Sequence, residues 1–588
     1  MLIVQKYGGT SVGSIERILA VAKRVIQTKQ QGHEVVVVVS AMGKTTDGLV
    51  KLANEISNNP QRREMDMLLS TGEQVTIALL SMSLESLGQP SISLTGGQAG
   101  ILTEAEHSRA RILEIDTQRL RKHLDENRVV VVAGFQGISN QSEITTLGRG
   151  GSDTSAVALA AALNAHLCEI YTDVEGILTT DPRLVPQAQL LTDITSDEML
   201  ELASLGAKVL HPRAVEIARN YGIPLVVRSS WTDHPGTKVI SGPASARSLI
   251  GLEITRAVDA VELDTDQSKV ALLHVPDRPG VAAKLFKSIA KEQINVDLII
   301  QSIHEGNSND IAFTVTQNSL ELARTISLDI DPTLRNEHNT SEVIVDREVA
   351  KISITGAGMI GRPGIAAKMF QTLADVGINI EMISTSEIKV SCVIAAKDAQ
   401  LALKSLMAAF EIEQADDQNL ATTINSKELS PVRGVALDRN QAKIAVRNVP
   451  DKPGMSAKIF ATLAQENISV DMIIQSQRSR IINEQSTRDI AFTISEIDAP
   501  LASSCLEKAG FKDVILDYDI VKVSIVGFAM INQPGVAANF FSALAQENIN
   551  IQMIATSEIK VSCVVNKSDG ERALAVVHEI FNLANIFT

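Results

Sequence analysis

A lysine and two glycines follow the first apolar run of the chain. The string Lys6-Tyr-Gly8-Gly9-Thr-Ser lies between the apolar run 2–4 and a segment with helical apolar spacing. Paired glycines let backbone N–H groups approach phosphate oxygens, and a helix N-terminus and a lysine add positive charge. Because the lysine precedes the glycines, the string is not the GxxxxGK[ST] phosphate loop. It therefore favours phosphate handling, with an ordinary tight turn as the alternative.

A second glycine pair has an arginine beside it. The string Arg149-Gly-Gly-Ser152-Asp153 precedes the strongly helical run AVALAAALNA. An arginine next to two glycines at a helix start predicts an anion-binding site. The alternative is structural, because Ser152 or Asp153 could cap the helix.

Two more polar strings belong to the same half. The first, Ser40 to Asp47, follows the apolar run 35–39. The second, Ser70-Thr-Gly-Glu73-Gln, opens a helix predicted over 75–87. Glu73 either faces a crevice or closes a capping box, and the spacing alone favours the capping box.

Later in this half, carboxylates and bases follow a predicted strand. Thr172-Asp173 and Asp181-Pro-Arg183 suit magnesium–nucleotide contacts, but also plain turns. Lys208 is a second lysine near a helix start, and His211 stands beside proline without any metal-ligand spacing. We interpret His211 as structural and predict no protein-only metal site.

The elements that must position these residues form an α/β pattern. Short, continuous β-branched runs separated by helical segments predict parallel strands buried on both faces. These runs lie at 2–4, 35–39, 129–133, 169–172 and 223–227. Ligands bind beyond the carboxyl ends of such strands, which is where the polar strings occur. The turn-rich segment 235–249 predicts a linker, and residues 1–245 a catalytic domain.

The second half contains a fourfold repeat. Pro-Gly pairs at 279–280, 363–364, 453–454 and 534–535 are spaced by 84, 90 and 81 residues, and each opens a helix followed by an apolar strand. Each repeat predicts a ferredoxin-like βαββαβ unit. Residues 275–280 resemble 449–454, and 386–392 recur at 557–563, so a two-unit module was duplicated. The predicted boundaries are 246–345 (repeat 1 with its linker), 346–425 (repeat 2), 426–519 (a linker strand and repeat 3) and 520–588 (repeat 4).

One string imitates a dinucleotide-binding fingerprint. Gly356-Ala-Gly-Met-Ile-Gly361 fits GxGxxG after a strand, but the equivalent segment 527–532 lacks two of the three glycines. Pro363 also interrupts the helix start that would hold the pyrophosphate. We therefore expect no dinucleotide here, and no residues remain for a fused homoserine dehydrogenase.

Composition excludes several classes of protein. The chain has 588 residues, a net charge of −15 and 3% aromatic residues, which argues against nucleic-acid binding. No apolar run approaches the ~20 residues of a membrane span, and the N-terminus shows no leader, so neither membrane insertion nor secretion is expected. Four widely spaced cysteines without a CxxC pair favour a reducing cytoplasm.

Taken together, the first-half strings resemble the aspartate kinases of the amino-acid kinase family. KYGGTS, SAMGKTTD, STGEQ, TTLGRGGSDTSA, YTDVEG, DPR and AKVLHPR occur in the family's order and approximate spacing, and the second half resembles its regulatory ACT domains. The resemblance implies an α/β/α sandwich with a mostly parallel sheet, followed by four ACT domains. It implies transfer of phosphate from MgATP to the β-carboxylate of L-aspartate, at the entrance to lysine, threonine and methionine biosynthesis.

The resemblance also implies roles for individual residues. Lys6 would stabilise the transferring phosphoryl group, and Asp153 would orient Lys6. The aspartate would be held by Ser40, Thr46, Glu73 and Arg149. The nucleotide would be held by Gly8, Gly9, Thr172, Asp173, Arg183 and Lys208. Because the substrate carboxylate is already a nucleophile, we expect positioning and charge neutralisation to carry catalysis.

By the same resemblance, paired ACT domains bind lysine or threonine between them and join two subunits into a homodimer. The implied effector residues are Asp277, Asn295, Asp297 and Gln301 in repeat 1 and Asp451, Asp471 and Gln475 in repeat 3. The alternative for these side chains is ordinary solvated loop polarity. Ser469 stands where repeat 1 has Asn295, which predicts sites of different preference.

Two other functions stay open at this point. The chain could phosphorylate glutamate or a related carboxylate, or it could be a catalytically silent amino-acid sensor. The intact set of Lys6, Arg149 and Asp173 argues against the sensor.

Overall fold

The β-branched runs of the first half form neighbouring strands of one sheet. The computed structural model describes residues 1–205, 209–242, 248–254, 256–302, 308–334, 342–359, 362–413, 430–482, 484–530 and 533–585. Contacts divide these residues into two units. The first unit comprises Met1–Leu178, Leu190–Ala203 and the described residues of 209–254. The second comprises Thr179–Gln189, residues 204–205 and the described residues from Arg256 onwards.

The first unit contains twelve strands and eight α-helices among its described residues. The strands are β1 Leu2–Tyr7, β2 Glu34–Val39, β3 Ser91–Leu94, β4 Ile101–Thr103, β5 Ile112–Ile115, β6 Val129–Ala133, β7 Gln136–Ser139, β8 Ile144–Thr146, β9 Leu167–Thr172, β10 Asp193–Thr195, β11 Leu225–Ser229 and β12 Thr237–Ile240. The helices are α1 Ile15–Gln30, α2 Thr45–Ile56, α3 Arg62–Leu69, α4 Thr71–Ser86, α5 Gln118–Asp125, α6 Gly151–Ala162, α7 Ser196–Ser204 and α8 Pro212–Tyr221.

The main sheet of this unit has the strand order β10-β12-β11-β9-β1-β2-β6-β3. Strand β1 lies parallel to β2 and β9, and β6 and β11 continue the parallel run. The prediction of a mostly parallel α/β sheet is therefore confirmed. Valines 35–39 and 129–132 are fully buried, as expected for strands covered on both faces.

Helices α3 and α4 run almost end to end. By length and composition, Arg62–Ser86 is long and apolar enough to span a membrane, although the sequence had predicted no such run. Within α4, however, Ile77, Leu80 and Leu84 pack into the core of the first unit. The core helix of a water-soluble protein meets the same criterion.

The second unit contains fifteen strands and eight α-helices among its described residues. The strands are β13 Ala260–Pro276, β14 Ile299–Ser302, β15 Ser308–Val315, β16 Glu342–Thr355, β17 Met382–Thr385, β18 Lys389–Ala395, β19 Gly434–Asp438, β20 Gln441–Pro450, β21 Val470–Gln475, β22 Arg480–Ile482, β23 Gln485–Ser495, β24 Val514–Asp517, β25 Ile520–Val526, β26 Met553–Thr556 and β27 Lys560–Asn566. The helices are α9 Val281–Lys291, α10 Leu320–Leu334, α11 Ile365–Asp375, α12 Ala399–Ala409, α13 Met455–Gln465, α14 Ala499–Lys508, α15 Val536–Gln546 and α16 Gly570–Ile580.

One strand of repeat 2 and one strand of repeat 4 come from a distant part of the chain. The strand of repeat 2 precedes repeat 1, and the strand of repeat 4 precedes repeat 3. The first part of β13, Ala260–Asp264, pairs with Lys351–Thr355 of β16 and so completes repeat 2, although repeat 1 intervenes in the chain. In the same way β19 pairs with β25 and completes repeat 4, across the whole of repeat 3. The ferredoxin-like arrangement is confirmed, but the sequential βαββαβ order holds only for repeats 1 and 3.

The repeats associate as 1 with 4 and 2 with 3. Strand β14 of repeat 1 pairs with β26 of repeat 4, so three repeats share a ten-stranded sheet. Helices α9 and α15 pack together in the first pair, and α11 and α13 in the second. In the second pair, Phe370 and Phe460 lie 5.5 Å apart between ring centroids.

Each association is reciprocal at the helix starts. A Cβ placed on Gly364 would lie 3.5 Å from Ala464 of its partner, and one on Gly454 would lie 3.7 Å from Ala374. Gly280 and Ala545, and Gly535 and Ala290, repeat this contact in the other pair. Each pair therefore has an approximate twofold axis, which presents two related crevices.

The first glycine of the GxGxxG string has a packing explanation. A Cβ on Gly356 would lie 2.4 Å from the carbonyl oxygen of Ala257, and one on the equivalent Gly527 would lie 2.1 Å from that of Pro431. A side chain at either position would collide with backbone. Residues 360–361 and 531–532 lie outside the described residues.

Candidate active site and effector sites

Lys6 and Asp153 meet at the carboxyl end of the main sheet. Lys6 lies near the end of β1, and Asp153 lies in the first turn of α6. The Lys6 Nζ is 2.6 Å from the Asp153 carboxylate, and both residues are buried. An ammonium held this way is fixed in position at the edge where ligands of parallel sheets bind.

The predicted glycine turn lies beside this pair. The backbone N–H of Gly8 donates to the carbonyl of Tyr171 on β9 at 3.2 Å. A Cβ on Gly9 would lie 2.8 Å from the Ala41 carbonyl oxygen, so only glycine fits between the two loops. The loops after β1, β2 and β9 are thereby held together.

The second glycine pair forms the start of α6. Gly150 is the N-cap in the left-handed region, with φ of 71°, and no side chain caps the helix. The alternative in which Ser152 or Asp153 caps α6 is therefore wrong, because both lie inside its first turn. The uncapped N-terminus and the exposed Arg149 beside it are suited to an anion.

Glu73 does not close a capping box. Ser70 has helical dihedrals, and its hydroxyl donates to the Met67 carbonyl at 2.9 Å instead of capping α4. The Glu73 side chain reaches across to the loop after β2, where its Oε1 accepts the backbone N–H of Ala41 at 3.1 Å. The preference for the capping box was wrong because α3 and α4 are nearly continuous at Ser70.

One carboxylate oxygen of Glu73 is left for a ligand. Glu73 is 3% exposed, and its Oε2 has no hydrogen-bond partner among the residues described. Burial raises the pKa of Glu73 to about 7, although two backbone N–H groups act in the opposite direction. A buried oxygen in this state is suited to an ammonium group, whose charge would restore the carboxylate form.

The other predicted ligands are distributed unevenly. The Ser40 hydroxyl donates to Ser152 at 3.0 Å, and Thr46 is half-buried in α2. Thr172 donates to the exposed Asp173 at 3.1 Å after β9. Arg183 belongs to the second unit, where its Nη2 is 2.6 Å from Asp181, and Lys208 lies outside the described residues. The structure thus groups most, but not all, of the predicted site residues.

Sequence reasoning missed Arg213. Its guanidinium donates to the Leu147 carbonyl at 2.6 Å and to the Ala110 carbonyl at 2.9 Å, and it pairs with buried Glu253 at 2.8 Å. These bonds hold the chain just before Arg149 and Gly150. The only signal was the position of Arg213 at the end of the AKVLHPR string.

His211 covers the start of α6. A Cβ on Gly150 would lie 2.3 Å from its imidazole ring, so the ring packs directly on this glycine. Burial, and then the nearby Arg213, lower the pKa of His211 and keep it neutral. This placement agrees with a structural role.

The predicted effector residues of repeat 1 divide between two crevices of the 1–4 pair. Asp277 and Gln301 line one crevice, in which the Gln301 amide donates to the Ile551 carbonyl at 2.7 Å. Asn295 and Asp297 line the other, a cavity of about 440 Å³ that also contains the Pro534-Gly535 turn of repeat 4. The approximate twofold axis explains why the four residues lie in two crevices. It places the Asp277 loop of repeat 1 against residues 549–551 of repeat 4, and the Pro534-Gly535 loop of repeat 4 against residues 295–297 of repeat 1.

The 2–3 pair repeats this arrangement. Asp471 lines a cavity of about 110 Å³ together with the Pro363-Gly364 turn of repeat 2. Asp451 accepts the Asn379 amide of repeat 2 at 3.0 Å, and Gln475 is buried. Burial alone would raise the pKa of Asp471, but the Lys522 ammonium beside it holds that pKa well below its usual range.

Comparison with known proteins identifies the family. Residues 1–229 match the profile of the amino acid kinase family, and residues 273–326, 352–410, 444–509 and 523–581 match an ACT domain profile. The aspartokinase of Bacillus sp. (strain MGA3) is 52% identical over 411 residues, which are 70% of this chain and 97% of that protein. The chain belongs to the aspartokinase family. The aspartokinase of Thermus thermophilus is 47% identical over 420 residues, 70% of this chain and 100% of that protein.

A solved aspartokinase structure covers the whole chain. The crystal structure of aspartate kinase from Synechocystis is 62% identical, with a TM-score of 0.87 over 100% of this chain and 99% of that one. The present aspartokinase is therefore a kinase with four ACT repeats, and its full arrangement of elements has a counterpart in a solved relative.

Proposed function

We propose that this aspartokinase transfers the γ-phosphoryl group of MgATP to the β-carboxylate of L-aspartate, giving 4-phospho-L-aspartate and ADP. The observation that carries the proposal is the buried Glu73 Oε2 without a partner, near the loop that also bears Ser40. It provides an anionic contact for the α-ammonium group of an amino-acid substrate. Arg149 provides the cationic contact for its α-carboxylate.

The reaction needs positioning more than proton transfer. A β-carboxylate oxygen attacks the γ-phosphorus, an O–P bond forms, and the bond to the bridging oxygen of the leaving ADP breaks. The attacking carboxylate is ionised at neutral pH, so no general base is required. Lys6, held by Asp153 at 2.6 Å, neutralises charge on the transferring group. The uncapped start of α6 adds N–H donors for phosphate oxygens.

The carboxylates present fit a magnesium ion that is carried by the nucleotide. Mg²⁺ keeps several waters and binds through phosphates plus one or two carboxylates. Asp173 is exposed at the end of β9, as such a ligand requires, and the described residues contain no all-protein metal cluster. The ion would supply charge neutralisation between the phosphates.

We further propose that lysine and threonine inhibit the enzyme by binding at the ACT pairs. The supporting observations are the cavity in each pair and the acidic side chains that line it, which are Asp297 and Glu558 in the 1–4 pair and Asp471 and Glu387 in the 2–3 pair. Effector binding would shift a two-state equilibrium of a homodimer. The pathway position, before lysine, threonine and methionine, and a cytoplasmic location belong to the same proposal.

Hydroxylamine trapping of the acyl phosphate tests the reaction. Full-length protein should convert L-aspartate and MgATP into a hydroxamate, with L-glutamate as the competing substrate. Turnover with glutamate in preference to aspartate would make it a different amino-acid kinase. Amino-acid binding without any turnover would make it a sensor.

A further inference from the structure

The buried carboxylate of Glu253 fixes Arg213 in one orientation. Glu253 Oε1 accepts the Arg213 Nε–H at 2.8 Å, and Oε2 accepts a hydrogen of Nη2 at 2.9 Å. Oε2 also accepts the backbone N–H of Ile112 at 2.6 Å, and Glu253 is 4% exposed. A two-point contact between a planar guanidinium and a carboxylate restricts the rotation of both side chains. Glu253 therefore determines where the other Arg213 donor points.

That donor holds the turn that carries Arg149. Nη1 of Arg213 donates to the carbonyl of Leu147 at 2.6 Å, two residues before Arg149. On either side of Arg149, Gly148 and Gly150 have φ of 80° and 71°. Glycine leaves the backbone unusually free, so a turn between two glycines needs outside contacts to keep one conformation. The exposed Arg149 side chain can meet a ligand at a fixed place only if this backbone is held.

Glu253 comes from the segment that leads out of the first unit. The backbone N–H groups of Leu252 and Glu253 donate to the carbonyls of Leu113 and Ile112, at 2.9 and 3.1 Å, so this segment is bound along β5. The family profile ends at residue 229, and the catalytic domain predicted from the sequence ends at residue 245. The second unit begins at Arg256. The support for the Arg149 turn is thus provided by residues that both boundaries leave out.

We propose that Glu253 is a positioning residue for the substrate aspartate, because it orients Arg213 and thereby holds Arg149 where it meets the α-carboxylate. This role rests on the proposed reaction, in which Arg149 contacts that carboxylate. Lys6 is held by a separate contact, with Asp153 at 2.6 Å. Glu253 therefore affects the binding of aspartate much more than the transfer of the phosphoryl group.

A purely structural role for Glu253 gives a different expectation. Loss of its carboxylate would then lower the free energy of unfolding and leave the KM for aspartate unchanged. Asp197 provides the matched control, because its carboxylate pairs with Arg219 within the same unit, and these side chains are 21% and 14% exposed. Asp197→Ala should destabilise the protein and leave the KM for aspartate within about twofold of the wild type.

Steady-state kinetics of full-length variants test the positioning role. Glu253→Ala should raise the KM for aspartate about tenfold, leave that for MgATP within about twofold and lower kcat less than about threefold. Glu253→Asp keeps the carboxylate and should restore the KM for aspartate to within about threefold of the wild type. Circular dichroism at the assay temperature verifies that each variant is folded. Equal KM values for aspartate in Glu253→Ala and Asp197→Ala would overturn the role.

The isosteric variant Glu253→Gln covers the case in which Glu253→Ala does not fold. It keeps one acceptor for the guanidinium but loses the charge and one of the two contacts. Its KM for aspartate should rise at least about threefold, again with little change in the KM for MgATP. An unchanged KM for aspartate in a folded Glu253→Gln would also overturn the role.

A double-mutant cycle shows whether Glu253 acts through Arg149. Arg149→Ala should raise the KM for aspartate by itself, and the addition of Glu253→Ala should then change that KM by less than about twofold. Multiplication of the two single effects would contradict the proposed route. Failure of the proposed function gives a separate result: no turnover of aspartate by the wild type, or an unchanged KM for aspartate in Arg149→Ala alone.

Discussion

The Lys6 ammonium lies 2.6 Å from the Asp153 carboxylate, although 146 positions separate the two residues in the chain. The contact joins the end of β1 to the first turn of α6. It also places a cation beside the uncapped helix start and the glycine turn, so three sources of positive potential converge.

Removal of the Lys6 ammonium should slow phosphoryl transfer. We expect Lys6→Ala to lower kcat by roughly two orders of magnitude, the usual effect of losing one electrostatic stabiliser of a transition state. Asp153→Asn should cause a smaller loss, because the ammonium remains but is no longer held. The rates are measured with saturating aspartate and MgATP. Lys23→Ala, on the exposed face of α1, is the control, and wild-type turnover by Lys6→Ala would remove Lys6 from the mechanism.

The KM for aspartate should depend on the ionisation of Glu73. Its pKa of about 7 means that the carboxyl is protonated in acid, when it no longer attracts the substrate ammonium. Well below pH 7, KM should rise about tenfold for each pH unit, whereas Glu73→Gln should have a high KM without this dependence. A pH series from 5.5 to 8.5, at roughly these limits of the transition, gives the profile. Equal pH profiles for both proteins would exclude Glu73 from the substrate site.

Glu73 should also reduce stability at alkaline pH. Its folded pKa is raised above the ordinary value, so its contribution is fully present below that ordinary value and is lost as pH rises through about 7. Above pH 7 we expect Glu73→Gln to have a higher free energy of unfolding than the wild type. Urea denaturation at pH 6 and pH 8 measures the difference, which should be larger at pH 8.

Loss of Arg213 should destabilise the first unit. Arg213→Ala would remove the guanidinium that pairs with buried Glu253, and breaking a buried pair on one side typically costs about 3–5 kcal/mol. The double variant Arg213→Met/Glu253→Gln should recover part of this, because the buried carboxylate charge is removed together with the guanidinium. Chemical denaturation gives the free energies, with exposed Arg17→Ala as the control. If Arg213→Ala matched that control, the network would have no structural importance.

The two aspartates in equivalent effector crevices should separate the effectors. Asp297→Ala should weaken inhibition at the 1–4 pair, because it removes a carboxylate from the larger cavity and leaves Lys351 without its partner. Asp471→Ala should do the same at the 2–3 pair. Inhibition curves for lysine and for threonine are compared between the two variants. Unchanged inhibition by both amino acids in Asp297→Ala would remove that residue from the effector site.

The sequence predicted local features well. The strand, glycine turn and helix around Lys6 were predictable because all three signals lie within a few residues. The parallel sheet was predictable from buried valine runs such as 35–39, and the repeats from their Pro-Gly pairs.

Features that depend on distant contacts were not predictable. Glu73 lies in the first turn of α4 and contacts Ala41 in the loop after β2. Local spacing does not contain this contact, and so it suggested a capping box. Arg213 reaches Leu147 across 66 residues. The association of repeat 1 with repeat 4 combines a short pairing between β14 and β26 with the packing of α9 on α15, and both join residues more than 250 positions apart.

The strands Ala260–Asp264 and β19, which complete repeats 2 and 4 from a distance, restrict how the regulatory half can be shortened. Deletion of repeat 2 from residue 356 onwards would remove helices α11 and α12 and leave the strand Ala260–Asp264 without them. Deletion of repeat 3 together with β19 would remove a strand from repeat 4. The smallest piece that can be gained or lost without an open sheet edge is therefore a two-repeat module, with its leading strand included. We therefore expect a regulatory region of this kind to gain repeats during evolution only as whole two-repeat modules.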